Sequence, residues 1–262
     1  MRVVAHTCSN TEIVCALGRS DWLVGVDDHS DYPAEVVSTL PRVGPDLDVD
    51  IERIRALEPD LVITSLTVPG HERCVERIAA AGLPYLVTQP TSLAGVAEDI
   101  RHIGAALGAA TEAEALASRF DVALARAAGV AAGIPVLVEW WPKPVIVPGR
   151  RSWVNEMLRL AGGYNPWEAE DAESLPVDPK AVRRAAPEAV VMSWCGVRED
   201  KYRAEVVRRR SGWAEVPALR HDRIHAVSEA WLGRPGPRLL EGIERLRTIV
   251  NEIRPDPCWP DA

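Results

Sequence analysis

The residue of this chain best suited to metal or proton chemistry is His29, in the stretch DDHSDYP from Asp27 to Pro33. An imidazole can ligate a metal or change charge near neutrality. Here Asp27, Asp28 and Asp31 favour its protonated form, which opposes ligation, so metal binding at His29 is expected to weaken as pH falls. The same stretch also suits a plain Asx-rich turn. His6 and Cys8 share one face of an extended segment and form a second metal pair by type, with no third ligand nearby in sequence. Ser9, Asn10 and Thr11 sit where a helix N-cap belongs, just before Glu12. They either only cap that helix or present its free N–H groups to a ligand. No nucleophile beside a base, no paired carboxylates and no phosphate-cradling glycine loop is visible, so the residues do not describe an active site.

The second chemical signal is aromatic. Trp140, Trp141, Trp153, Trp167, Trp194, Trp213 and Trp231 crowd the later part of a chain that has a single Phe. Some of them can be core filler, and Trp153, Trp167 and Trp213 suit that role. Trp140, Trp141, Trp194 and Trp231, however, follow apolar runs that read as strands, and Glu229 shares the segment of Trp231 after the last of them. Ligands bind at strand ends in an α/β sheet, so these rings can wall a large flat ligand.

The elements that position these residues follow from periodicity. Apolar runs at Arg2–Ala5, Trp22–Val26, Leu61–Ser65, Tyr85–Thr88, Pro135–Val138, Ala189–Met192 and Ile224–Val227 read as buried strands. They alternate with helical patterns at Glu12–Leu17, Glu72–Ala81, Leu93–Leu107, Val154–Leu160 and from about Pro237 to Ile253, which predicts parallel sheets covered on both faces. Val49–Ser65 and Val177–Ser193 match without a gap at a constant offset: a short helix, a proline at Pro59 or Pro187, then an apolar strand. The two copies flank one long helical pattern, Thr111 to Gly129, with Thr111 and Glu114 spaced as a capping box and Gly129 as its stop. Leu116, Phe120, Ala123, Leu124 and Ala127 form its apolar stripe. The expected architecture is α/β, two similar lobes of parallel sheet flanked by helices and joined by one rigid spine helix. Its boundaries are 1–109, 110–130 and 131–262.

Composition narrows the function classes. At 262 residues the chain is long enough for two cores. A net charge of −8 with scattered rather than striped Lys and Arg argues against a nucleic-acid partner. There is no apolar run long enough for a transmembrane helix. Cys8, Cys15, Cys74, Cys195 and Cys258 are an odd number at no zinc-like spacing, which suits a reducing compartment. The chain as written reads as cytoplasmic, and as extracytoplasmic if a leader was trimmed.

The segments SNTEIVCALG, VGVDDHSDYP, LPRVG, IERIRALEPDLVI, PVLVEWWPKPVIVPGRRSW, LRLAGGYN and RPGPRLLEGIERL span nearly the whole chain. In that order they resemble the cobalamin-binding substrate-binding proteins of ABC importers, in the helical-backbone group of metal receptors (the class III substrate-binding proteins). The resemblance implies a non-enzymatic, monomeric receptor that carries cobalamin or another corrinoid or metal chelate to a membrane permease, with the ligand in the cleft between the lobes. On that reading Ser9, Asn10, His29 and Ser65 face the ligand from the first lobe and Trp140, Trp141, Trp194, Glu229 and Trp231 from the second. His29 is a candidate axial ligand to the chelated metal. An aromatic of the cobalamin receptors matches His29 and another matches Trp140, while Asp46, Ser65 and Ser174 stand where three further aromatics would be. The family also presents one Glu on each lobe to the permease: Glu52 matches the first, and Lys180 stands in place of the second, so the second docking contact is expected to have its sign reversed. The alternative kept open is an intracellular protein on the same scaffold that handles or modifies a metal cofactor such as a corrinoid or haem.

Overall fold

The computed structural model describes residues 1–127 and 133–253. They form two compact units, one of Met1–Val122 with Pro235–Pro237 and one of Ala123–Arg234 with the described chain from Arg238 on.

In the first unit the order is β1 (Val3–Ala5), α1 (Cys8–Ala16), β2 (Leu23–Val26), α2 (Ala34–Val37), α3 (Ile51–Ala56), β3 (Leu61–Ser65), α4 (His71–Ala80), β4 (Tyr85–Thr88), α5 (Leu93–Ala106) and α6 (Ala110–Ala127). The strands pair in the order β2-β1-β3-β4, all parallel. Short fully apolar strands such as Val3–Ala5 are buried on both faces, as a parallel sheet covered by helices requires. Helix α4 buries His71, Cys74 and Ile78, spaced on one helical face, and the last two join Val4, Val43, Val49, Ile54 and Val62 in one core.

The second unit runs β5 (Ile134–Glu139), β6 (Trp141–Pro142), β7 (Val145–Pro148), α7 (Val154–Leu160), β8 (Gly163–Tyr164), β9 (Ser174–Val177), α8 (Pro179–Ala185), β10 (Ala189–Met192), α9 (Ala204–Arg208), α10 (Pro217–Arg220), β11 (Ile224–Ala226), α11 (Glu229–Leu232) and α12 (Leu239–Ile253). Its main sheet is parallel, ordered β11-β10-β5-β8. A second sheet, β6-β7-β9, is antiparallel and was not expected: the chain leaves β5, turns back on itself and pairs β7 with β9. Each unit is thus α/β with a parallel sheet flanked by helices.

The internal repeat reaches the caps. Asp50 and Asp178 stand at equivalent places and each accepts the backbone N–H three residues on, from Arg53 at 3.1 Å and from Ala181 at 2.7 Å. At the other end Glu58 and Ala186 are again equivalent, and both take left-handed backbone, φ 44° and 45°. Each turns the chain out of its helix one residue ahead of Pro59 or Pro187, so the prolines follow the stop rather than make it.

Two helix starts differ from expectation. Helix α1 begins at Cys8, so Ser9, Asn10 and Thr11 lie inside it and do not cap it; Thr7 is the cap residue, with φ 96° and no side-chain cap bond. Local cap propensity was overridden by a turn that the left-handed Thr7 starts early. Helix α6 begins at Ala110, its first bond running from the Ala113 N–H to the Ala109 carbonyl, so Thr111 is within the first turn. Glu114 does not reach back to it: Arg101 holds its carboxylate at 2.7 and 3.0 Å. The buried stripe of α6 is accordingly Ala113, Ala117 and Phe120, with Leu116 half-buried. The Gly129 stop, the last residues of the expected spine and Cys258 lie outside the described residues.

Candidate functional site

In the first unit the segments leaving β1, β2 and β3 meet the loop 44–50. Asp27, wholly buried, organises the turn after β2: it accepts the Ser30 hydroxyl and the His29 backbone N–H, the latter at 3.0 Å. Burial raises its carboxyl pKa, and those hydrogen bonds take back only part of the rise. Arg42 pins the same turn by donating to the carbonyls of Asp27 and Ser30 at 2.9 and 2.7 Å. The Asx-turn expectation is therefore met, and its product is an outward His29 whose side chain is 54% exposed.

His29 has neighbours that its sequence surroundings did not announce. Its Nε2 lies 3.6 Å from Oδ1 of Asp46, and the other carboxylate oxygen lies 3.6 Å from Nε2 of His71. His71, buried at the start of α4, packs edge-on to His6 with ring centroids 5.9 Å apart. The His71 ring holds the Asp46 carboxyl below the usual range, against partial burial, and His29 adds to the effect. His6 is itself wholly buried, with Nδ1 2.9 Å from the Thr64 hydroxyl. Desolvation, then the neighbouring His71, pushes its pKa down to about 4. Three large apolar side chains, Tyr32, Leu47 and Val68, are 40 to 47% exposed, one on each of the loops after β2, at 44–50 and after β3. A Cβ built on Gly70 would sit 3.3 Å from Leu47, which draws the last two loops together.

The other first-unit candidates are internal. Asn10 is buried, with its amide donating to the His6 carbonyl at 3.1 Å and its oxygen accepting from Thr88 at 3.2 Å. The Ser9 and Thr7 hydroxyls are 3.2 Å apart, and that of Ser65 is 2.8 Å from Thr67. His6 and Cys8 do not make a metal site: among the described residues no three His, Cys, Asp or Glu side chains are placed to hold a metal ion.

The second unit sorts its tryptophans by burial. Trp194 lies in the apolar core with Trp167 and Trp213. Its indole N–H donates to Glu139 at 2.7 Å and its ring tilts against Tyr202 with centroids 5.1 Å apart. Glu139, the wholly buried last residue of β5, is forked by Arg210, which is stacked 4.6 Å from the Trp213 centroid. Trp140 is buried and Trp141 points out, 41% exposed, its indole donating to the Lys143 carbonyl at 3.1 Å. The opposite burial of two adjacent rings follows from the alternation of extended chain. Glu229 ties two loops together, accepting the Gly196 N–H at 2.8 Å and Arg234 at 3.2 Å. Trp231 is half-buried, with the guanidinium groups of Arg245 and Arg238 lying 4.1 and 5.1 Å from its centroid.

Two α/β units with candidate residues at the carboxyl ends of their parallel strands define the binding-protein class of fold. The periplasmic binding protein family matches residues 3–229. The chain belongs to that family, and it is a substrate-binding protein of an ABC importer, not an enzyme. It is 31% identical to YvrC, an ABC transporter substrate-binding lipoprotein of Bacillus subtilis, over 97% of this chain and 80% of that one. It is 28% identical to the vitamin B12-binding protein of Vibrio parahaemolyticus, over 92% of this chain and 86% of that one. Among solved structures it is similar to the periplasmic heme-binding protein RhuT of Roseiflexus sp. RS-1, with a TM-score of 0.82 and 30% identity, covering 96% of this chain and 98% of that one. The alternative of a cofactor-modifying enzyme is thereby set aside, and a permease is the implied partner. Among the described residues no helix is long and apolar enough to cross a membrane.

Proposed function

We propose that this receptor binds a planar metal chelate, a corrinoid or haem, outside the cytoplasm, with residues at the strand ends of each unit touching the ligand. The observation that carries the reading is the outward His29, with exposed Tyr32 on its own loop and exposed Leu47 and Val68 on the loops at 44–50 and after β3. An imidazole can ligate the metal, and apolar side chains suit the face of a macrocycle. Three large exposed apolar groups on three such loops are more than an aqueous surface needs. Relatives described as vitamin B12-binding and heme-binding support this ligand class. Asp46 stands 3.6 Å from Nε2 of His29, so Nδ1 is the ring nitrogen left for the metal. In the second unit Trp141 is the ring free to stack on a ligand. Of the other proposed site residues, Ser9, Asn10, Ser65, Trp140 and Trp194 are buried side chains, and Glu229 and Trp231 are half-buried.

Titration with aquocobalamin and haemin, followed by calorimetry and absorption, tests the reading. His29→Ala is expected to remove the imidazole-ligated absorption bands, and Trp141→Ala to weaken binding by about tenfold through lost stacking and area. Both variants binding and absorbing as the parent would contradict the placement.

For docking we propose Glu52 and Lys180, the second residues of α3 and α8. Glu52 is 81% exposed, with Arg55 at 3.2 Å, and Lys180 is exposed. Charges so placed fix the orientation of an encounter more than its strength. Glu52→Arg is expected to abolish transport in reconstituted vesicles while ligand binding in solution survives, and Lys180→Glu to impair transport rather than restore it. Undiminished transport in Glu52→Arg would remove Glu52 from the interface.

A further inference from the structure

Asp46 stands between two imidazoles that have very different surroundings. Its Oδ1 lies 3.6 Å from His29, which is outward, and its Oδ2 lies 3.6 Å from His71, which is 1% exposed. Helix α4 grips the same residue a second time, because the Cys74 thiol donates to the Asp46 main-chain carbonyl at 3.3 Å. The loop that carries Asp46 is also joined to the loop that carries His29, through the Asp28 N–H donating to the Gly44 carbonyl at 2.9 Å. Gly44 permits this with φ 96°, and a Cβ there would lie 2.8 Å from the Asp48 carbonyl oxygen. Neither nitrogen of His71 has a hydrogen-bond partner, so Asp46 is the polar group within its reach. Asp46 is therefore tied to α4 through its main chain, with one carboxylate oxygen toward His71 and the other toward His29.

We propose that Asp46 is the positioning residue for His29: tied to α4 through Cys74 and flanked by His71, it faces Nε2 and thereby sets the orientation and electron donation of the other ring nitrogen, Nδ1, toward the metal of the bound chelate. The inference rests on the metal-chelate reading above. A carboxylate beside a ligating imidazole fixes the ring and raises its basicity, and removing such a partner typically costs 10- to 100-fold in metal affinity. Asp46 thereby favours chelates whose metal accepts a strongly donating axial nitrogen over those already saturated by their own ligands.

The test uses haemin and aquocobalamin as probes on the full chain and on Asp46→Asn, Asp46→Glu, His71→Gln and His29→Ala. Asp46→Asn is isosteric and half-exposed, so it is expected to keep the parent's thermal unfolding. It is expected to retain the imidazole-ligated bands yet bind about 10- to 100-fold more weakly, with the midpoint potential of bound haem moved to more positive values. Asp46→Glu should recover part of both changes, and His71→Gln should move them in the same direction as Asp46→Asn by less. If His29→Ala loses the bands while Asp46→Asn leaves affinity and potential unchanged, the positioning role is overturned and the chelate reading stands. If the parent protein binds neither probe, both fall together.

Discussion

Arg210→Met is expected to lower the stability of this protein by about 3–5 kcal/mol, the usual cost of leaving one partner of a buried ion pair alone. Glu139 is wholly buried at the end of β5, and Arg210 meets both of its oxygens. The indole N–H of Trp194 remains on the carboxylate but carries no full charge. The loss extends beyond the pair, since the Arg210 guanidinium also packs on Trp213, one of the largest fully buried side chains. Adding Glu139→Gln to Arg210→Met should return much of the stability, because a buried pair replaced as a whole is often close to neutral. Urea unfolding of the single and double variants checks this. A single-variant loss under about 1 kcal/mol would mean that water reaches Glu139 as it would an exposed ion pair.

The second large effect is set by pH. In the unfolded chain His6 takes up a proton near its ordinary value, but in the fold it does so only near pH 4. Between those values the unfolded state binds more protons, so stability falls as pH is lowered and the change is complete once pH drops below the folded value. The expected loss is about 2 kcal/mol between pH 7 and 5 and about 3 kcal/mol by pH 4. His6→Gln removes the titrating group, so its unfolding free energy should vary less than the parent's over the pH 7 to 5 window, where most carboxylates have yet to protonate. Parallel pH profiles for the two proteins would show that His6 is solvated in the fold.

Much of the architecture was legible because it rests on patterns local in sequence. The apolar runs became parallel strands, and the gapless match between Val49–Ser65 and Val177–Ser193 became two equivalent helix-strand units with Asp50 and Asp178 as equivalent caps. The antiparallel sheet was not legible, since Trp141–Pro142 and Ser174–Val177 are short, contain proline and pair across a long stretch of chain. Cap propensities misplaced the start of α1 because Thr7 takes a backbone conformation that its residue type does not advertise. At the candidate site the chemical type of His29 could be read, but not its company. Asp46 and His71 reach it only through loops that tertiary packing joins, and nothing in GPD or GHE marks those residues as neighbours. The tryptophans show the same limit: residue type could not separate Trp194, which fills core, from Trp141, which faces water, because that choice depends on which face of an extended segment meets the sheet.

The central claim, a receptor for a planar metal chelate, is tested most directly by thermal and calorimetric titration of the full chain with aquocobalamin, dicyanocobinamide, haemin and a ferric hydroxamate. The account predicts one-to-one binding of a corrinoid or haem, with a gain of about 2.7 kcal/mol in unfolding free energy at a free concentration 100 times the dissociation constant. Binding of the ferric hydroxamate alone, or of none of the four, would contradict it.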